Sequence, residues 1–167
     1  MRVQVMVVVA SGLALAGCVR PSNPPPTPPA AALRTISYET SPCFGACPVF
    51  RLRVSADGKG QFTGIRNTAV TGQKPFTVTP KQFAAFDAKL RPWLPATGER
   101  IYRPGEPLCP HAATDMPSVD VRVTDPRGPS RLYFYFGCDM SRNRAMADAL
   151  GNAPDALGID ALIGEQP

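Results

Sequence analysis

Five cysteines and a single histidine hold most of the reactive chemistry in this chain. Cys43 and Cys47 are four positions apart, with Pro48 directly after them. Cys109 and His111 follow much later, and Cys138 later still. Two thiolates and an imidazole suit Cu(I) or Cu(II), so Cys43, Cys47 and His111 are candidate metal ligands. Met116 lies near His111 and offers a soft thioether. The Cys43/Cys47 pair could equally cycle between dithiol and disulfide. Against both stands a structural reading, in which Cys43, Cys47, Cys109 and Cys138 form two disulfides in an oxidising compartment. Three pairings are possible, and the sequential one is expected. A Cys109–Cys138 bond closes a loop of about 30 residues, worth roughly 3–4 kcal/mol by chain entropy. Cys43–Cys47 closes only a small turn, worth less and more easily reduced. Crossed pairings such as Cys43–Cys138 stay open.

The fifth cysteine belongs to a different chemistry. Residues 1–17 carry one early positive charge, Arg2, then an apolar run and small residues. That is the anatomy of a signal peptide, too short for a membrane span of about 20 residues. Leu15-Ala16-Gly17-Cys18 resembles the lipobox of bacterial lipoproteins, which implies cleavage before Cys18 and lipidation of that residue. The resemblance implies three acyl chains, and two already suffice for stable anchoring. Val19 is not the Asp associated with inner-membrane retention, so the outer membrane, facing the periplasm, is the expected address. From Cys18 the tether runs to residue 33. Six prolines within positions 21–29 favour extended polyproline II. The fifteen residues after Cys18 would reach roughly 45 Å at about 3.1 Å each.

Residues 34–167 then make one domain with a modest core. Without Arg2, 17 basic residues face 13 acidic ones, a net charge of +4. The basic residues are scattered and not interleaved with aromatics, which argues against a nucleic-acid partner. The expected partners are the membrane, through the lipid anchor, and an unidentified envelope protein or ligand.

The elements that must position the cysteines can be read from periodicity. Thr35–Thr40 reads as a first strand. Phe50, Leu52 and Val54 alternate with Arg51 and Arg53, a half-buried second strand. Asp57-Gly58-Lys59-Gly60 is a hairpin turn in which both glycines can take positive φ. Gln61–Arg66 returns with Phe62 inward, and Phe76-Thr77-Val78 forms a fourth strand. Thr79-Pro80-Lys81-Gln82 is a capping box with proline at the first helical position. The helix it opens runs to about Leu90, buries Phe83, Phe86 and Leu90, and stops before Pro92. Val78 and Phe83 stand where a hydrophobic staple places them. Trp93 and Leu94 should lie over the core edge. Residues 95–117 read as a long Pro/Gly-rich loop, functional or stapled. Val119, Val121 and Val123 mark a strand, and Asp125-Pro126-Arg127-Gly128 a turn. Leu132, Phe134 and Phe136 share a face on the returning strand, with Tyr133 and Tyr135 opposite, so that strand is central or covered. A helix over 141–150 ends with Gly151 as C′ glycine, and 154–163 adds a helical turn or two. This order predicts an α+β domain, an antiparallel sheet with helices packed on one face.

Cys43-Phe44-Gly45-Ala46-Cys47-Pro48, the Asp-Gly hairpin, Thr114-Asp115-Met116-Pro117 leading into a strand, and Tyr135-Phe136-Gly137-Cys138 recur together elsewhere. Over residues 34–163 the chain resembles a bacterial domain family of unknown function, often found in lipoproteins, with a Cys-Phe-Gly-x-Cys-Pro hallmark. The resemblance implies an α+β domain at the cell envelope and carries no activity or catalytic residues. The Cys-x-x-x-Cys-Pro spacing also resembles Sco-type copper chaperones, which add a distant histidine. In those thioredoxin-like proteins the cysteines lie between a strand and a helix, whereas Val49–Val54 alternates with strand period.

The remaining candidates are thinner. A hydrolytic triad would need His111 and an acid, and Asp115 is placed to orient that ring. Glu99, Glu106 and Asp115 share one loop without an identifiable pairing for glycosidase chemistry. Tyr133 or Tyr135 could line a ligand cleft. No catalytic residue and no cofactor is expected. The expected protein is a non-enzymatic envelope lipoprotein whose domain binds or supports a partner. The competing expectation is a thiol–disulfide or copper-handling protein built on the Cys43–Cys47 turn.

Overall fold

Seven strands form one sheet, and alternation of apolar and polar residues is clearest in three of them, Val49–Ser55, Ser118–Asp125 and Gly128–Tyr135. A computed structural model describes residues 33–164. The leader, Cys18 and most of the tether lie outside the described residues. The strands are β1 (Thr35–Thr40), β2 (Val49–Ser55), β3 (Lys59–Arg66), β4 (Gly72–Thr77), β5 (Gly98–Tyr102), β6 (Ser118–Asp125) and β7 (Gly128–Tyr135). Their spatial order is β4-β3-β2-β1-β6-β7-β5. The helices are α1 (Pro80–Leu90), α2 (Met140–Gly151) and α3 (Asp160–Ile163), with a single 3₁₀ turn at Pro154–Leu157. No helix among the described residues is long and apolar enough to cross a membrane.

The sheet is mixed, and this corrects the all-antiparallel expectation. Five neighbouring pairs are antiparallel, but β5 runs parallel to β7, with Ile101 opposite Tyr133. β5 lies inside the stretch expected to be loop. Its five residues are too few and too polar to stand out, and its partner follows 30 residues later. β7 is therefore covered on both edges.

The core side chains come from the strand positions that periodicity singles out. Ile36 and Tyr38 of β1, Leu52 and Val54 of β2, Phe62 of β3, Val119, Val121 and Val123 of β6, and Leu132 and Phe134 of β7 are all buried. Tyr38 touches two helices at once. Its ring meets Phe86 of α1 edge-on at 6.2 Å, and its hydroxyl donates to the Leu150 carbonyl of α2 at 2.9 Å.

Helix α1 forms as its sequence dictates. The Thr79 hydroxyl accepts from Gln82 N–H at 3.2 Å, and Gln82 Oε1 accepts from Thr79 N–H at 2.9 Å. Phe83, Phe86 and Leu90 are buried, and the Val78/Phe83 staple is buried with them. Gln82 also donates to the Leu157 carbonyl at 3.0 Å, which ties the cap to the 3₁₀ turn. Trp93 and Leu94 pack against the core.

Two glycine roles differ from the sequence reading. Gly58 does take a positive φ of 85°, but Gly60 does not; a Cβ there would stand 2.3 Å from the Phe76 ring, so its requirement is steric. Gly151 is the last helical residue of α2 rather than a left-handed C′ glycine, and Asn152 caps the helix. Its N–H donates to the carbonyls of Asp148 and Leu150, so the end closes without a left-handed residue.

Candidate functional site

The cysteines pair sequentially. Cys43 bonds Cys47 with Cα atoms 5.8 Å apart, and Cys109 bonds Cys138 at 5.1 Å. The second bond is fully buried and ties the 103–117 segment to the end of β7. An isolated bridge between Ala112 and Cys138, and the Ala113 N–H donating to Gly137 O at 2.9 Å, hold the same join. A Cβ on Gly137 would stand 2.3 Å from the Ala113 carbonyl, so only glycine permits this approach.

The Cys43–Cys47 turn follows β1 and projects beyond the sheet. Gly45 at its tip has φ 145°, in the region that favours glycine. The Phe44 N–H donates to the Asp115 carbonyl at 3.1 Å, which fixes the turn against the segment entering β6. Asn67 Nδ2 donates to the Cys47 carbonyl at 3.2 Å from the other side. The backbone of the turn is thus held, yet the Phe44 side chain is 89% exposed. Met116 and Ile65 are exposed as well. Among the described residues, three of the four exposed large apolar side chains lie on segments tied to or flanking this turn.

Beside the turn is an open cleft of about 210 Å³ lined by Tyr38, Thr40, Pro48, Met116, Pro117 and Phe136. Cys47, Ser118 and Gly151 complete it. Its polar groups are already committed. The Thr40 hydroxyl donates to Pro48 O and accepts from Phe50 N–H, both at 2.9 Å. Ser118 N–H and its hydroxyl both donate to Ser41 Oγ, at 2.7 and 2.8 Å. The Tyr135 hydroxyl accepts from Met116 N–H at 3.1 Å and sets the position of that wall. Burial pushes the Tyr38 phenol far above its ordinary value, with Asp155 adding to it, so the group stays neutral. A cleft with satisfied polar groups and apolar walls suits an apolar side chain or a short acyl group.

The residues proposed from spacing are distributed otherwise. His111 is exposed, and its carbonyl accepts from Asp139 N–H at 3.2 Å. Asp115 does not orient it: its carboxylate accepts from the Thr114 hydroxyl and its carbonyl from Phe44. The carboxylate that feels His111 is that of Asp139, held below its ordinary value first by the Ser141 hydroxyl. Cys43 and Cys47 are bonded to each other, and among the described residues no three His, Cys, Asp or Glu side chains gather to hold a metal ion. Glu99 pairs with Arg131 at 3.3 Å across β5 and β7. Met116, considered as a soft ligand, is a cleft wall. Tyr133 lies under the Arg103 guanidinium at 4.9 Å, and Tyr135 supports the cleft without lining it. Sequence reasoning missed Phe44, Phe136 and Pro117 as site residues. The signal was present in the Cys-Phe-Gly and Tyr-Phe-Gly-Cys motifs, where an aromatic adjoins a cysteine at a strand end.

Fold and site together define a small α+β domain, stapled by two disulfides, with an apolar cleft at one end of its sheet. A family model described as a domain of unknown function, DUF6438, matches residues 34–152, and the chain belongs to that family. The match runs from the first residue before β1 to the cap of α2. No curated protein and no solved structure matches the chain.

Proposed function

We propose that this is a cell-envelope lipoprotein, anchored through acylated Cys18, whose domain binds a partner through the cleft beside Phe44. The observation that carries the reading is the placement of the two ends of β1. Arg34, where the tether joins, contacts Asp125 at the β6–β7 turn, whereas Thr40 lines the cleft. Six residues of strand separate the two by about 20 Å. A tether entering at Arg34 leaves Phe44, Met116 and the cleft at the far end of the domain. One face of the sheet presents Arg51, Arg53 and Arg122 to solvent, with Asp120 and Arg131 half-buried among them. A rigid aromatic on a disulfide-closed turn loses little freedom on binding, which favours a binding role over catalysis.

The Leu15–Cys18 motif supports the anchor, and Val19 supports the outer membrane facing the periplasm. The partner is an envelope protein or ligand that offers an apolar group. Two measurements test this. Palmitate labelling should vanish in Cys18→Ala, and the chain should band with the outer membrane in a sucrose gradient; banding with the inner membrane refutes that address. A photo-crosslinking phenylalanine at position 44 in whole cells should give one discrete adduct that Met116→Asp removes. An unchanged adduct, or none, refutes the cleft.

One observation favours a second reading, thiol–disulfide or copper chemistry at Cys43–Cys47: Cys47 borders the cleft, and both cysteines are only half-buried. Reduction of that pair by a mild thiol with the fold intact, or copper bound and lost in Cys47→Ser, would support it over the binding role.

A further inference from the structure

The opposite end of the domain holds a second pocket, built from charge rather than from apolar surface. A cavity of about 90 Å³ is lined by Arg34, Arg91, Arg127, Leu94 and Ser130. Two carboxylates hold the guanidinium groups in place. Asp87 Oδ1 accepts from Arg34 Nε and Nη2, and Asp87 Oδ2 from Arg91 Nη2. Asp125 Oδ2 accepts from Arg34 Nη1 at 2.5 Å and Arg127 Nη2 at 2.6 Å. Asp125 Oδ1 accepts from the Arg127 backbone N–H at 2.9 Å and from its Nε.

Every carboxylate oxygen of the cluster is therefore already committed to an arginine. The carboxylate side chains are nearly buried, at 2% and 7% exposed, whereas Arg91 and Arg127 are 68% and 71% exposed. Arg91 Nε and Nη1 and Arg127 Nη1 have no partner among the described residues. Three guanidinium groups against two carboxylates leave one positive charge in surplus, and it faces outward. Preset guanidinium forks are suited to a tetrahedral oxyanion, which accepts from several at once. The apolar wall at Leu94 strengthens such contacts by excluding water.

We propose that this pocket binds a phosphate group, held by Arg91 and Arg127 on arginines positioned by Asp87 and Asp125. The group has two sources, an anionic lipid headgroup or a soluble phosphate-bearing ligand. The pocket is where the tether joins, so the lipid source draws on the anchored reading while the site itself does not.

The test uses the full chain with Cys18→Ser, so that no acyl chain contributes. Arginine side-chain ¹⁵N–¹H resonances are followed while inorganic phosphate is added at constant ionic strength. The expected result is a saturable shift at Arg91 and Arg127, with Arg51 and Arg53 unmoved, and a loss of about tenfold in affinity in Arg91→Gln/Arg127→Gln. Both side chains are largely exposed, so the variant should keep its fold, with thermal melting as the control. Should it melt early, Arg91→Gln alone reads the same loss and leaves every Asp125 contact intact. Flotation with phosphatidylglycerol vesicles, against phosphatidylcholine alone, separates the sources. Binding to the anionic vesicles that phosphate displaces assigns the lipid headgroup, and phosphate binding without vesicle binding assigns a soluble ligand. The absence of a saturable shift, or equal shifts at Arg51 and Arg53, overturns the site.

Discussion

Arg34 donates from both Nε and Nη2 to one oxygen of Asp87, at 3.0 and 2.7 Å, across 53 residues of chain. The contact joins the residue that precedes β1 to the buried side of α1. It gives Asp87, 1% exposed, the donors for one carboxylate oxygen, while Arg91 serves the other. Removing one partner should therefore cost more than the contact is worth. Arg34→Ala should lose about 1–3 kcal/mol in urea unfolding, because one buried oxygen of Asp87 loses its donors while Arg91 still holds the other. The Arg34→Met/Asp87→Leu pair should lose less than the sum of its single changes, since neither charge is then stranded.

Asp125 makes the same cluster sensitive to acid. The Arg127 hydrogen bond, with Arg34 beside it, holds its carboxyl at about 2, against an ordinary 3.8. A depressed folded value contributes stability above the unfolded value and loses it as pH falls through the folded one. Stability should decline between about pH 4 and pH 2. Asp125→Asn should be less stable at neutral pH and flatter across that window, as read by denaturant midpoints at each pH.

Tyr38 should act at the other extreme. Its phenol is pushed upward by burial, so the folded state keeps a proton that the unfolded state releases. Its contribution is whole below about pH 10 and fades as pH climbs beyond. Tyr38→Phe should cost about 1 kcal/mol through the lost bond to Leu150. It should also remove part of the alkaline decline, visible in circular dichroism melts from neutral pH upward.

The two disulfides should respond unequally to reductant. Cys109 and Cys138 are fully buried and close a separation of 29 residues, whereas Cys43 and Cys47 are half-buried and four apart. Mass spectrometry after brief treatment with a thiol should show the short pair alkylated first. Cys109→Ala/Cys138→Ala should cost roughly 3–4 kcal/mol and Cys43→Ala/Cys47→Ala clearly less.

Gly64 should tolerate no side chain. A Cβ there would stand 1.8 Å from the Val70 carbonyl, in the loop whose Ala69 and Val70 N–H groups donate to Ile163 and Leu162. Gly64→Ala should cost about 1–3 kcal/mol and loosen α3. Hydrogen exchange at Ala69 and Val70 would rise first.

What could be read in advance was local. The α1 capping box spans four residues, its staple six, and the β2–β3 hairpin closes across a few positions, so each is determined by neighbours in the chain. Strands such as β6 also announce themselves, because Val119, Val121 and Val123 alternate with a period set by the pleat. β5 did not, since Gly98–Tyr102 lacks that pattern and gains its hydrogen bonds only from β7.

The two candidate sites lie on the far side of this division. The motif residues Cys43, Phe44 and Cys47 stand out in the sequence, and so does the lipobox-like Leu15–Cys18, as chemistry without a location. The cleft needs Tyr38, Pro48, Met116 and Phe136 from four separate segments. The arginine pocket needs Arg34 to meet carboxylates 53 and 91 residues away. Composition and periodicity decided the strands other than β5, the first helix and the number of disulfides, because those depend on short-range sterics and counting. Only the tertiary structure decided that one end of the sheet is apolar and the other cationic, because strand order and register bring together residues that the chain keeps far apart.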